Sequence, residues 1–419
     1  MEEKLHNKGQ INYYKALLLI ILFFAAMNFQ AKFFYLVYTG FILTCINNKR
    51  IRVNRTCLLY LFLGIIMSLY NVTDGILGKI RRFAFLANYI VGFNFITNGN
   101  NNIDNDESFN TIVSLSLIVS AFGAYAHYMM NFISNSGSVI GRNTIDVWSG
   151  EIMSSTGQAT LASLIIGVCC AWFVKPPKKL YRVIAIAITI SVLLYNLILS
   201  GRTIIVMCVI TLLISILYIV RNEENINRKI YVIIWAILAI ILFSLLYSFN
   251  IFNIQNIFMS SNLYARFGGY TDNILDTSRN ERKLLYIQNM YRYLFGGLHL
   301  REQFGYAHDL LLDAYDEFGF ITFILLCVIL FKSIKNVLRF MKIDVILPQT
   351  KVLTLCIYTI IILEFFVEPI FAGMPWFFAC FCLFNGVISA TIELDSRLKE
   401  LFSSGLHLVN DANRENGWM

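Results

Sequence analysis

The chain has 419 residues, of which 57% are hydrophobic and only 14% are charged. Because soluble domains average about 25% charged residues, this composition excludes a soluble globular protein and indicates a polytopic membrane protein. The formal net charge of +8 is a topology signal rather than a sign of nucleic-acid binding, since the cations lie in short segments between apolar runs.

Twelve apolar runs are candidate membrane spans, so the sequence predicts an all-α polytopic membrane protein forming a single domain over residues 1–419. Residues 1–10 are polar and lack the pattern of a cleavable signal, so the first run is predicted to remain as a span. The predicted spans are Tyr14–Met27, Phe33–Ile46, Cys57–Tyr70, Phe83–Thr97, Thr111–Phe132, Ala159–Val174, Tyr181–Leu199, Thr203–Val220, Lys229–Phe249, Leu310–Phe331, Val352–Val367 and Trp376–Ile392.

The basic residues predict the orientation of these spans. With the N-terminus inside, most Lys and Arg residues fall in inside segments, as cytoplasmic loops require. Two outside segments are long: residues 131–158, and residues 250–307 between the ninth and tenth spans. Helical apolar spacing in Lys283–Leu294 predicts a surface helix within the second of these loops, which Ser278 or Asp276 could cap and which would carry Glu281 in its first turn.

Nine cysteines lie in or beside apolar runs, with no CxxC or Cys/His metal spacing. This pattern indicates that the cysteines are small hydrophobic side chains packed between helices, and the sequence predicts no metal site and no cofactor.

Arginines of the outside segments are the candidate anion ligands. Arg202 lies between two apolar runs at the outer membrane edge, where a guanidinium needs a partner or a water-filled cavity. A structural arginine that reaches lipid phosphate is the alternative reading. Arg266, Arg279 and Arg282 lie in the long outer loop. Because a guanidinium binds phosphate through paired, charge-assisted hydrogen bonds, together they predict a diphosphate site.

His308 is the candidate general base, because it begins the tenth span beside those arginines and imidazole titrates near neutral pH. A cap or interfacial role is its structural alternative, and His299 is a reserve candidate in the same loop. Four acids with helical spacing follow His308 and could orient it or hold the arginines: Asp309, Asp313, Asp316 and Glu317. No role is evident for two further acids, Glu364 and Glu368.

Three short blocks, taken in this order, resemble the bacterial O-antigen polymerase and O-antigen ligase superfamily. Ser200-Gly201-Arg202-Thr203 is similar to its Ser-Arg turn before an apolar span. Arg279 or Arg282, followed by an aromatic helix and Leu294-Phe295-Gly296-Gly297, is similar to its outer-loop block. His308 with Glu317-Phe318-Gly319 is similar to its His-Asn…Leu…Glu-x-Gly block, although this chain has Asp309 in place of asparagine. The resemblance covers about residues 146–385.

The resemblance implies an enzyme of the bacterial inner membrane that joins undecaprenyl-diphosphate-linked oligosaccharide repeats on the outer face, without a metal. Arg202 and Arg279 would clamp the donor diphosphate with support from Arg266 and Arg282, and His308 would take or steer the acceptor's proton. Asp309 and Glu317 would support the substrate site. Its partners would be the lipid-linked donor and acceptor, membrane lipid and a chain-length regulator protein.

Three other functions compete with this expectation. An O-antigen ligase would use the same donor with lipid A core or another surface acceptor. An enzyme of the oligosaccharyltransferase type would carry an acid in the first outer loop, which here is Asn28-Phe29-Gln30-Ala31-Lys32. A flippase of lipid-linked sugar would spread basic residues over several spans and show two similar halves.

Overall fold

The structure is a computed structural model, and it describes residues 13–48, 50–70, 75–97, 106–135, 143–199, 201–250, 254–259, 264 and 278–415. Helices dominate these ranges, and the only strands in them are two short ones. The helices are α1 (Tyr13–Ala26), α2 (Phe33–Asn47), α3 (Arg55–Tyr70), α4 (Ile76–Arg81), α5 (Ala84–Thr97), α6 (Asp106–Ser134), α7 (Ser155–Val174), α8 (Lys179–Leu199), α9 (Arg202–Asn222), α10 (Ile226–Ser248), α11 (Ile254–Met259), α12 (Ser278–Asn289), α13 (His299–Phe304), α14 (Leu310–Phe340), α15 (Pro348–Phe365), α16 (Ile370–Gly373) and α17 (Pro375–Glu415).

Each of the twelve apolar runs coincides with one of these helices. Within the described residues, seven helices are long and apolar enough to cross a membrane, and α1, α2 and α3 are shorter apolar helices. The all-α membrane architecture is therefore confirmed, whereas a total of twelve spans and the orientation in the bilayer stay predictions. The seven candidate spans are Phe109–Ser134, Ser155–Val174, Lys179–Leu199, Arg202–Asn222, Leu310–Phe340, Pro348–Phe365 and Pro375–Arg397.

Close backbone contact between α5 and α17 forms the centre of the bundle. A Cβ atom added at Gly92 would lie 2.1 Å from the carbonyl oxygen of Leu383, and one added at Gly386 would lie 2.2 Å from that of Tyr89. Since only glycine leaves room for such an approach, each helix presents a glycine to the other. The Asn88 amide also donates to the Ala379 carbonyl at 2.9 Å.

Helix α14 is interrupted at Gly319, which has φ 78° and ψ −179°. The backbone groups released by this break are used by the loop before it: the Phe320 amide donates to the Leu294 carbonyl, and the Leu298 amide donates to the Asp316 carbonyl. A Cβ atom on Gly319 would lie 2.9 Å from the Leu294 oxygen, so glycine is needed for both its conformation and this contact. The break thus docks the segment that precedes α14 onto the bundle.

A β-hairpin, which the all-helical prediction misses, lies between α6 and α7. Its strands are β1 (Asn143–Ile145) and β2 (Ile152–Ser154), and Thr144 pairs with Met153 across them. Nε2 of the buried His127 lies 2.7 Å from Asp146 Oδ2, which ties the hairpin to α6.

The surface helix of the outer loop is also placed differently from its prediction. The apolar spacing predicts the helix over Lys283–Leu294 with Ser278 as a possible cap, whereas α12 begins at Ser278 and ends at Asn289, and a 3-10 turn, Met290–Arg292, follows. Glu281 lies in the first turn, as predicted. Of the apolar side chains, Tyr286 is buried, while Leu284 and Ile287 are exposed.

Candidate functional site

The turn that follows α15 holds a buried carboxylate, Glu368. Its amide donates to the Glu364 carbonyl, a helical hydrogen bond three residues beyond the end of α15 and directly before Pro369. The Glu368 side chain is only 1% exposed, because it lies between two apolar helices, α15 and α16. A buried carboxylate requires charged or hydrogen-bonding partners, and the outer loop supplies them.

Arg279 from α12 is the first of these partners. Its Nη1 atom donates to the Val367 carbonyl at 3.0 Å and lies 3.5 Å from Glu368 Oε1. Lys283, one helical turn further along α12, donates to the Phe366 carbonyl and lies 3.3 Å from Asp309 Oδ2. Two cations on one face of α12 therefore hold the outer loop against the end of α15.

His308 lies at the start of α14 in a left-handed backbone conformation, with φ 55°. The amides on both sides of it, those of Ala307 and Asp309, donate to the Asp313 carboxylate at 2.9 and 3.2 Å. Asp309 caps α14 by accepting hydrogen bonds from the Leu311 and Leu312 amides. Two acids of the predicted stripe, Asp309 and Asp313, thus fix the backbone that carries the histidine.

The imidazole of His308 faces Glu368. Its Nδ1 atom lies 4.0 Å from Glu368 Oε2, and its side chain is 19% exposed. Burial, reinforced by the positive charges of Arg279, Arg282 and Lys283, lowers the pKa of His308 to about 4. The imidazole is therefore neutral at physiological pH, which is the form that can accept a proton.

A second buried acid, Glu364, lies one helical turn before Glu368 on α15. Its Oε2 atom accepts a hydrogen bond from the Thr160 hydroxyl of α7 at 3.3 Å. Because Thr160 is near the start of α7, this bond also shows that α7 begins at the bundle end where α15 finishes. We call this end the site end.

Arg202 is the half-buried first residue of α9, and the packing of α9 places it at the site end. Helix α9 packs on α7 and α15, and Ser215 contacts Cys356 of α15. Glu223, the residue after α9, pairs with Lys175, the residue after α7, so α7 and α9 end together and Arg202 lies at the end where α7 begins.

Two other predicted site residues, Glu317 and His299, contact residues outside the cluster of Arg279, His308 and Glu368. Glu317 lies 3.6 Å from Arg82, whose guanidinium also covers the Phe318 ring at 5.1 Å. The His299 ring packs against Tyr293 with centroids 4.9 Å apart, so the reserve histidine contacts the loop itself. Arg266 lies outside the described residues.

Asp316 also serves the loop, since its carboxylate accepts hydrogen bonds from the Leu300 and Arg301 amides at the start of α13. Arg282 lies beside Gly305, where an added Cβ atom would be 3.6 Å from the arginine Nη1. The structure thus brings together three of the predicted residues: Arg279, Asp309 and His308, with Arg282 near enough to act on the histidine charge.

Sequence reasoning named Glu364 and Glu368 without a role for either, and it did not assign Lys283 to the site. The available signal was a pair of acids four residues apart at the end of an apolar run, followed by Pro369. Comparison of the chain with protein-family models and with curated proteins finds no match.

Proposed function

We propose that the chain is a polymerase of undecaprenyl-diphosphate-linked oligosaccharide repeats, acting on the extracytoplasmic face of a bacterial inner membrane. The observation that carries the proposal is a contrast in exposure. Arg279 and Lys283 are 31% and 24% exposed, whereas the Glu368 carboxylate beside them is 1% exposed. An incoming ligand therefore meets cations and an imidazole, while the acid stays beneath them.

This arrangement suits an anionic, membrane-anchored donor. The cations lie at one end of an apolar bundle, which is where the diphosphate of a lipid carrier would lie while its chain stays in the bilayer. In the proposed reaction, an acceptor hydroxyl oxygen forms a bond to the anomeric carbon of the donor sugar. The bond from that carbon to the diphosphate oxygen breaks, and the bonding electrons leave with undecaprenyl diphosphate.

His308 takes the hydroxyl proton through its second ring nitrogen, Nε2, and is charged only after this transfer. Arg279, with Arg202 and Arg282, stabilises the negative charge that develops on the leaving diphosphate. The growing chain on one carrier thereby moves to the non-reducing end of a repeat on another.

The test uses purified protein in lipid nanodiscs with labelled undecaprenyl-diphosphate-linked repeat as the only substrate. A ladder of products is expected from the wild type, and Arg279→Ala or His308→Gln should remove it. Product formation only after addition of a lipid A core acceptor would support a ligase. Translocation across sealed vesicles without new glycosidic bonds would support a flippase, and either result would overturn the proposal.

Matched controls separate the site from general damage. Arg397→Ala removes an arginine paired with Glu393 on α17, away from the site end, and His299→Gln removes a histidine that packs on Tyr293. Both controls should retain the ladder. Normal ladders from Arg279→Ala at ordinary protein levels would contradict the proposed diphosphate site.

A further inference from the structure

Glu368 stands between the two groups that the proposed reaction needs. One carboxylate oxygen, Oε1, lies 3.5 Å from Arg279 Nη1, and the other, Oε2, lies 4.0 Å from His308 Nδ1. The first distance is at the long limit of a hydrogen bond and the second exceeds it. One carboxylate is therefore placed to serve either partner without a large movement.

The surroundings of His308 favour a change of partner when an anion arrives. Arg279, Arg282 and Lys283 act on it from α12, Glu368 faces it from the turn after α15, and Tyr306 lies on its own loop with ring centroids 6.4 Å apart. Glu364 lies behind Glu368, and Asp309 contacts Lys283. A diphosphate would compete with Glu368 for Arg279, since it is the more highly charged acceptor.

We propose that a bound diphosphate takes over Arg279 and leaves Glu368 to accept a hydrogen bond from His308 Nδ1. Glu368 is then a positioning residue that orients the general base only when the donor is present. This inference rests on the proposed function, because it takes the donor diphosphate as the competing anion. No bond to carbon changes in this step, and the Nδ1 proton stays on the imidazole.

Two physical effects follow from the exchange. The diphosphate neutralises the cations that, together with burial, keep the pKa of His308 near 4, so that pKa rises. The Glu368 carboxylate, once the diphosphate has displaced it from Arg279, also stabilises the imidazolium that forms on proton transfer, as the aspartate of a Ser-His-Asp triad does. The base would therefore become stronger only after the donor is bound.

Histidine NMR measures the exchange directly, because the chain has only five histidines. Full-length protein with isotope-labelled histidine is titrated with acid, with and without farnesyl diphosphate, and His308→Gln assigns the signal. Farnesyl diphosphate should raise the pKa of His308 by roughly one unit or more. Inorganic pyrophosphate at saturation should act in the same direction, which would attribute the effect to the diphosphate.

Glu368→Gln separates the carboxylate from simple charge neutralisation. This variant should bind farnesyl diphosphate at least as tightly as the wild type, because the competing carboxylate is gone, but it should show less than half of the wild-type rise in pKa and a lower turnover number. The matched control is Glu223→Gln, a glutamate paired with Lys175 away from the site end, which should behave as the wild type. An equal rise in Glu368→Gln would overturn the inference.

The wild-type titration decides the inference even if Glu368→Gln does not fold. Bound farnesyl diphosphate with no rise in the pKa of His308 would refute the exchange, while a product ladder from the same preparation would leave the proposed polymerase intact. Absence of both diphosphate binding and the ladder would refute the polymerase and the exchange together.

Discussion

Replacing Asp313 by asparagine tests whether the acids of α14 act by holding His308. Both oxygens of the Asp313 carboxylate accept backbone hydrogen bonds, from Ala307 at 2.9 Å and from Asp309 at 3.2 Å. Asparagine keeps the shape of the side chain but has one oxygen and one NH₂ group. One of the two amides would therefore face a donor instead of an acceptor.

The size of the effect follows from that lost bond. Leaving a buried backbone amide without an acceptor costs about 1–3 kcal/mol, and His308 between the two amides has a left-handed conformation that costs about 1–2 kcal/mol more in the absence of support. Since about 1.4 kcal/mol corresponds to a factor of ten, loss of the bond alone should lower the turnover number roughly ten- to hundred-fold.

The assay is ladder formation from lipid-linked repeat, run beside a thermal unfolding measurement. Asp395→Asn is the matched control, because Asp395 pairs with Lys399 on the far part of α17. It should leave both readings at the wild-type level. If Asp313→Asn, which loses one of the two backbone hydrogen bonds, has a turnover number within about two-fold of the wild type, the view that this carboxylate positions the histidine is refuted.

Two further predictions address the fold and pH. Gly319→Ala should lower the unfolding temperature and weaken ladder formation, because the new Cβ atom would lie 2.9 Å from the Leu294 oxygen at a residue with φ 78°. The control is Gly373→Ala, since a Cβ atom there would have no neighbour within 4 Å. Equal unfolding temperatures for the two variants would contradict the docking role of the break. The pKa of His308 lies below that of an unfolded histidine, so the unfolded state binds a proton first, and the contribution of His308 to stability should be lost as pH falls from about 6.5 toward 4. Thermal unfolding of the wild type and of His308→Gln over this pH range tests the sign. A wild type that loses no more stability than the variant would contradict the prediction.

The positions of the helices could be predicted from the sequence, since each apolar run coincides with a helix. Charge and chain order also indicated a cluster of Arg279, Asp309 and His308, because these residues lie in one continuous polar stretch that enters an apolar run. The break at Gly319 is not predicted by the sequence, because a single glycine in an apolar run does not reveal that it contacts the backbone at Leu294, 25 residues earlier.

Glu368 was not predicted as a site residue for a related reason. It is distant in sequence from both Arg279 and His308, and only the packing of α15 against the loop brings the three together. Glu317 shows the opposite failure. Helical spacing placed it with the acids around His308, but its side chain contacts Arg82, which comes from a separate part of the chain.

The way the cluster is held explains how it could bind a ligand without losing its shape. Arg279 and Lys283 are anchored first by backbone carbonyls, those of Val367 and Phe366, which keep their positions whatever the charge nearby. A guanidinium has five N–H donors, and the contacts of Arg279 to Val367 and Glu368 both use Nη1. An anion can therefore displace the carboxylate while the carbonyl bond remains, so the arginine stays oriented toward the diphosphate throughout the exchange.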